Sequence, residues 1–174
     1  NWEDRLICIK GTRGVGKTTF LLQYAKEKFG TDRSCLYLNM NNLYFAKHRL
    51  VDFAEGFVKD GGRVLLIDQV FKYPEWSHEL RECYENYPEL KIVFTGSSVM
   101  RLKEENPELS GIAKVYYLRG LSFREFLNLR SGNSFPAYTL HEILKDHQKI
   151  AATILKKINF NDFARIRHVF FKTF

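Results

Sequence analysis

Residues 6–19 read LICIKGTRGVGKTT, an apolar run that leads into a glycine-rich loop and then into a helical pattern. Gly11 to Thr18 match the phosphate-loop pattern G-x-x-x-x-G-K-[ST] at every fixed position. Glycines let such a loop turn its backbone N–H groups toward an anion, and the dipole of the following helix favours negative charge. The pattern predicts a nucleotide-binding loop made of Gly11, Thr12, Arg13, Gly14, Val15, Gly16, Lys17, Thr18 and Thr19.

Two further roles follow from the chemistry of this loop. The Lys17 ammonium is expected to reach the β- and γ-phosphates, and the Thr18 hydroxyl to ligate Mg²⁺. A second apolar run, Val64–Ile67, ends at Asp68. In a parallel sheet this run delivers the Asp68 carboxylate to the same edge as the loop, where it can hold the metal shell. The predicted cofactors are therefore ATP and Mg²⁺, with Thr18 and Asp68 as the metal-holding residues.

Gln69 follows this aspartate and is the unusual residue of the site. In many ATPases a glutamate stands here and polarises the attacking water. An amide has the same shape and can orient a water, but it cannot accept a proton as a carboxylate does. With Lys17, Gln69 is a candidate catalytic residue, and its identity predicts slow hydrolysis or none. The alternative is that Gln69 only packs.

Apolar runs and helical patterns alternate along the chain. The predicted strands cover 6–9, 35–38, 64–67, 92–94 and 115–118, and the predicted helices cover 17–29, 48–59, 76–87, 122–129 and 141–158. Continuous apolar strands separated by helices are typical of a parallel sheet covered on both faces. The predicted class is α/β, with a core over 1–130 and a short helical extension over 131–174.

Composition limits the classes of protein that remain. The chain has 174 residues and a net charge of +7, and 45% of its residues are hydrophobic, which excludes a disordered chain. No apolar run approaches the ~18 residues that span a bilayer, so we expect a cytoplasmic protein without a membrane partner. Residues 119–174 contain ten Lys or Arg against four Asp or Glu, a surplus that suits either nucleic acid or a solvated helical surface.

Five segments in order resemble one family. They are Gly11–Thr19, Leu65–Asp68, Lys72–Ser77, Phe94–Ser98 and Gly120–Leu127. Together they resemble the AAA-type ATPases typified by the AAA_14 domain of bacteria and archaea. The resemblance implies a P-loop NTPase fold of AAA+ type. It also implies that Thr95 and Ser97, at the end of the fourth strand, are sensing groups near the γ-phosphate; an ordinary strand-to-helix turn with serine caps is the alternative.

The chain departs from the family pattern at several positions. Gln69 stands where the family usually has glutamate, and arginines common near 110–113 are missing, although Arg101 and Arg119 are close enough in sequence to substitute. Family members usually continue into a second, C-terminal domain. We therefore expect 131–174 to be the start of a lid or linker to such a domain, or to meet another copy in a homo-oligomer.

Two other functions compete with an ATP-binding domain. A nucleotide-dependent, DNA-associated module would use the basic C-terminal third. A GTPase or small-molecule kinase is disfavoured, because the sequence has no Asn-Lys-x-Asp guanine-reading motif and no clear acceptor-site pattern.

Overall fold

The computed structural model describes residues 3–97 and 107–173. Its strands are β1 (Leu6–Gly11), β2 (Cys35–Asn39), β3 (Val64–Asp68), β4 (Lys91–Ser97) and β5 (Lys114–Tyr117). Its α-helices are α1 (Lys17–Lys28), α2 (Leu50–Lys59), α3 (Trp76–Asn86), α4 (Phe123–Ser131), α5 (Leu140–Lys157) and α6 (Phe160–Thr173). These elements confirm the predicted α/β class, and α6 is a helix that the sequence pattern did not indicate.

The strands form one parallel sheet in the order β2-β3-β4-β1-β5. Every residue of β1 and β3 is buried. Their apolar runs, Leu6–Ile9 and Val64–Ile67, are typical of strands covered on both faces. In this order β4 lies between β1 and β3. The carboxyl ends of β1, β4 and β3 therefore lie side by side, and the segments that follow them meet at one edge of the sheet.

Two layers of apolar side chains cover the two faces of the sheet. On one face α1 packs through Leu21 against Ile7 and Leu66. On the other face α2 and α3 pack over the alternate residues of the same strands, with Leu50, Val51, Trp76, Leu80 and Cys83 in the buried cluster. Tyr73 and Trp76 are buried in this second layer.

The chain divides into two compact units, residues 1–120 and 121–174. The second unit consists of α4, α5 and α6 around Leu127, Phe135, Ile158 and Ile166. The division lies before α4, because α4 packs on α6. Phe123 of α4 contacts Phe163 and Phe170 of α6, with ring centroids 5.6 and 5.4 Å apart.

The second unit leaves part of its apolar surface uncovered. The helix α5 is amphipathic, yet none of its residues is buried. Leu140 and Leu144 are 72% and 71% exposed. Within the described part of the chain, none of the helices is both long and apolar enough to cross a membrane.

Candidate functional site

The phosphate-loop sequence connects β1 to α1 and takes the backbone shape that its glycines allow. Gly14 and Gly16 have φ values of 87° and 94°, which residues other than glycine rarely adopt. A Cβ on Gly11 would collide with the carbonyl oxygen of Leu118. Gly16 is the N-cap of α1 and supplies no side chain to the first N–H groups of the helix, so these donors face the loop without a side-chain partner.

Lys17 lies across the loop. Its Nζ donates to the carbonyl oxygens of Gly11 and Thr12, both at 2.8 Å. Partial burial lowers the pKa of the Lys17 ammonium from its usual value, and the nearby Asp68 carboxylate acts in the opposite direction. The lysine that would reach phosphates is thus held by carbonyl groups of its own loop, and an anion with stronger acceptor oxygens can replace them.

Asp68 joins the loop to the sheet. It ends β3, its side chain is 1% exposed, and its Oδ2 accepts a hydrogen bond of 2.6 Å from the Thr18 hydroxyl. Its Oδ1 accepts one of 2.5 Å from the hydroxyl of Thr95 on β4. The Thr18 hydroxyl comes from α1 and the Thr95 hydroxyl from β4, the strand that pairs with β3.

Tyr37 is a partner of Asp68 that the sequence did not reveal. It lies on β2, and its hydroxyl donates to Asp68 Oδ2 at 3.0 Å. Burial and this hydrogen bond raise the pKa of Tyr37 to about 12. The hydroxyl therefore keeps its proton at neutral pH and acts as a donor to the carboxylate.

Gln69 is the one non-glycine residue with positive φ in the described ranges, at φ 55° and ψ 42°. This left-handed conformation costs a residue with a side chain about 1 kcal/mol. Its N–H donates to Asp68 Oδ1 and to Thr95 Oγ1, both at 3.0 Å. These hydrogen bonds offset the cost and fix the backbone at the point where the side chain enters the site.

A cavity of about 640 Å³ lies between the loop and the ends of the strands. It is lined by Arg13, Gly14, Gly16, Lys17, Thr18, Thr19, Asp68, Gln69, Phe71, Lys72 and Thr95. Its hydroxyl and carboxylate oxygens are hard ligands that fit Mg²⁺. In the described segments, no group of three or more His, Cys, Asp or Glu side chains is placed to hold a metal ion by itself. Mg²⁺ commonly needs only one or two carboxylates, since substrate phosphates and waters complete its shell.

The AAA domain family known as AAA_14 matches residues 3–127. The chain belongs to this family. The family resemblance read from the motifs is confirmed, and the chain is a nucleotide-binding, ATPase-like module of the AAA type.

Two comparisons show how far this AAA domain resembles other proteins. An uncharacterized protein of Methanocaldococcus jannaschii is 29% identical over 172 residues, which cover 91% of this chain and 36% of that protein. The chain thus spans about a third of the length of the curated relative it matches. The structure of PCH-2 from C. elegans has a TM-score of 0.51 and 17% identity, and the match covers 81% of this chain and 40% of that one. At that identity the likeness shows the fold alone.

The AAA domain brings most of the predicted site residues to this cavity. Lys17, Thr18, Asp68, Gln69 and Thr95 line it together. The last residue of β4, Ser97, pairs in register with Gly11, and its side chain and all of Arg101 lie outside the described residues.

Three other residues were not predicted as site residues, although Lys72 begins one of the five family-like segments. Phe71 and Lys72 line the cavity, and their position directly after Asp68-Gln69 is the signal that could have found them. For Tyr37, the only signal is its place on a strand that the sheet order puts beside β3.

Proposed function

We propose that this chain binds ATP with Mg²⁺ between the phosphate loop and Asp68, and that it hydrolyses the nucleotide slowly. The observation that carries the proposal is the hydrogen bond between Thr18 and Asp68, because it joins the loop to the sheet edge. In this function the backbone N–H groups of the loop bind the phosphates. Lys17 exchanges its two carbonyl partners for β- and γ-phosphate oxygens, which are stronger acceptors.

Thr18 and Asp68 are the residues proposed to hold Mg²⁺. A bound Mg²⁺ neutralises charge on the β- and γ-phosphate oxygens. The Thr18 hydroxyl has one proton and two lone pairs. It can therefore keep its hydrogen bond to Asp68 and still offer a lone pair to a metal.

Gln69 is the reason to propose slow hydrolysis. Its side chain lines the cavity, and its backbone is fixed by two hydrogen bonds. An amide at this position can orient a water but cannot take its proton. General-base catalysis contributes about 10²–10⁴-fold to rates, so its loss would slow ATP hydrolysis by about that factor.

Thr95 is the proposed sensor. Its hydroxyl bonds both Asp68 and the N–H of Gln69, so a displacement of any one of these groups is passed to the others. Ser97 remains a predicted second sensor.

Titration with a fluorescent ATP analogue tests nucleotide binding. Lys17→Ala removes a cation from the loop and should weaken binding by roughly 10–100-fold, the value of one or two charge-assisted hydrogen bonds. Lys26→Ala is the matched control, since Lys26 is exposed at the other end of the same helix. Equal affinity in the two variants would show that the nucleotide does not use this loop.

A second candidate, a DNA-associated module, is favoured by the charge of the second unit. Lys145, Lys149 and Lys156 are all exposed on α5. If they bind DNA phosphates, affinity for a labelled duplex must fall steeply as salt rises, because bound counterions are released. Changing Lys145 and Lys149 to glutamate should abolish this binding, whereas Lys26→Glu in the first unit should not. No binding at low salt would eliminate this candidate.

A further inference from the structure

The carboxylate of Asp68 has its acceptor capacity filled by the protein itself. A carboxylate offers about four lone-pair positions for hydrogen bonds. Oδ1 receives the hydroxyl of Thr95 and the N–H of Gln69. Oδ2 receives the hydroxyls of Thr18 and Tyr37. A metal ion, or a water bound to it, that interacts with Asp68 therefore has to displace one of these four donors.

Three of the four donors have reasons to stay. The N–H of Gln69 belongs to the backbone and has Thr95 as a second partner. Thr95 is a short side chain, 1% exposed, on a strand in the interior of the sheet. Thr18 can keep its proton on Asp68 while its lone pairs face a metal, since a hydroxyl is donor and acceptor at once.

Tyr37 is the donor that can leave. It lies on β2, the strand at the edge of the sheet, and is only partly buried. Its ring packs against the cluster that includes Val64 and Leu66, whereas its contact with Asp68 is a single hydrogen bond of 3.0 Å at the end of a long side chain. Ring packing and the hydrogen bond are therefore separable, and a small movement of the hydroxyl frees a lone pair on Oδ2.

We propose that Tyr37 is a positioning residue that sets the affinity of the site for Mg²⁺, by holding Oδ2 of Asp68 in the metal-free state and releasing it when the metal binds. This inference rests on the proposed function, since it assumes that Asp68 serves Mg²⁺ bound with ATP. It implies that the tyrosine competes with the metal. Removal of its hydroxyl should therefore strengthen Mg²⁺ binding, the opposite of the effect expected from losing a group that supports the metal site.

The test is calorimetric titration of Mg²⁺ into the whole chain saturated with a non-hydrolysable ATP analogue. Tyr37→Phe keeps the ring and should raise the Mg²⁺ affinity roughly tenfold, the value of one charge-assisted hydrogen bond partly replaced by water. The matched control is Tyr73→Phe, which also removes a tyrosine–carboxylate hydrogen bond, the 2.8 Å contact with Glu79, away from the cavity. The control should leave the Mg²⁺ affinity unchanged.

A second measurement does not depend on comparing affinities. Mg²⁺ added to the analogue-bound wild-type chain should change the ultraviolet absorption of tyrosine, because a phenol loses its hydrogen bond to a carboxylate. Tyr37→Phe should lack this change, and Tyr73→Phe should retain it.

The outcomes separate this inference from the proposed function. Equal or weaker Mg²⁺ affinity in Tyr37→Phe, or no tyrosine signal in the wild-type chain, overturns the role of Tyr37 while Mg²⁺-dependent analogue binding still stands. A wild-type chain that binds the analogue with no effect of Mg²⁺ overturns both.

Discussion

Replacing Glu79 should destabilise the first unit, because this buried carboxylate holds the start of a neighbouring helix. Glu79 lies on α3, and its side chain is 4% exposed. Its Oε2 accepts the N–H groups of Leu50 and Val51, at 2.6 and 3.2 Å. These are the first two residues of α2, whose N-cap, Arg49, makes no capping hydrogen bond with its side chain. A residue from another helix therefore does the work of an N-cap.

The size of the effect follows from the donors that lose their acceptor. Glu79→Ala leaves the two N–H groups of α2 and the buried hydroxyl of Tyr73 without this acceptor. Each buried donor left unpaired costs about 1 kcal/mol or more, so the loss should be about 3 kcal/mol. Glu79→Gln should lower the free energy of unfolding by less, about 2 kcal/mol, because its amide oxygen can still accept from α2. A loss remains because its NH₂ group, a donor, then faces the donor of Arg49.

Urea unfolding monitored by tryptophan fluorescence measures this loss, since Trp76 is buried in the first unit on the same helix. A loss of about 3 kcal/mol should lower the midpoint by about 1–2 M. The control is Glu82→Gln, one turn along α3, which pairs with the same Arg49 at 2.8 Å but lies at the surface. It should leave the midpoint almost unchanged. Equal shifts for Glu79→Gln and Glu82→Gln would refute the capping role.

Three other predictions concern turnover, sensing and assembly. Gln69→Glu should raise phosphate release by about 10²–10⁴-fold over the wild-type chain, with Lys17→Ala as the blank. Equal and robust turnover in the wild-type and Gln69→Glu chains would show that the water is activated elsewhere. Thr95→Val removes the hydroxyl shared by Asp68 and Gln69, so affinities for ATP and ADP measured by titration should become more similar; an unchanged ratio argues against sensing. Light scattering should detect self-association at high concentration, because Leu144 and Phe171 are 71% and 69% exposed; a uniform monomer would contradict this.

Much of the fold could be predicted because local patterns agree with the final structure. The run Leu6–Ile9 predicts a buried strand, and β1 is buried along its whole length. Ser122 followed by Glu125 predicts a helix start, and the structure has the reciprocal hydrogen bonds of a capping box there. The phosphate loop is also a local feature, so its lysine and hydroxyl residues could be identified from eight consecutive residues.

What could not be predicted depends on contacts between distant parts of the chain. Tyr37 meets Asp68 because β2 lies beside β3, and Glu79 meets α2 because two helices cross on one face. Neither residue belongs to a spaced motif, and both read as ordinary strand or helix positions. The helix α6 was not predicted, because its phenylalanines are mixed with basic residues. Its packing on α4 is a tertiary contact that the local pattern does not contain.

The order of the strands also determines when the nucleotide loop can take shape during synthesis. Leu6 pairs with Ile92, and Ile7 pairs with Lys114, so β1 waits about 90 residues for its first neighbour and more than a hundred for its second. At about 5–20 residues per second this takes roughly 5–20 seconds, during which the apolar strand is open to chaperones or to aggregation. Pairings so distant along the chain also slow folding after release. The loop after β1 is thus translated early and ordered late.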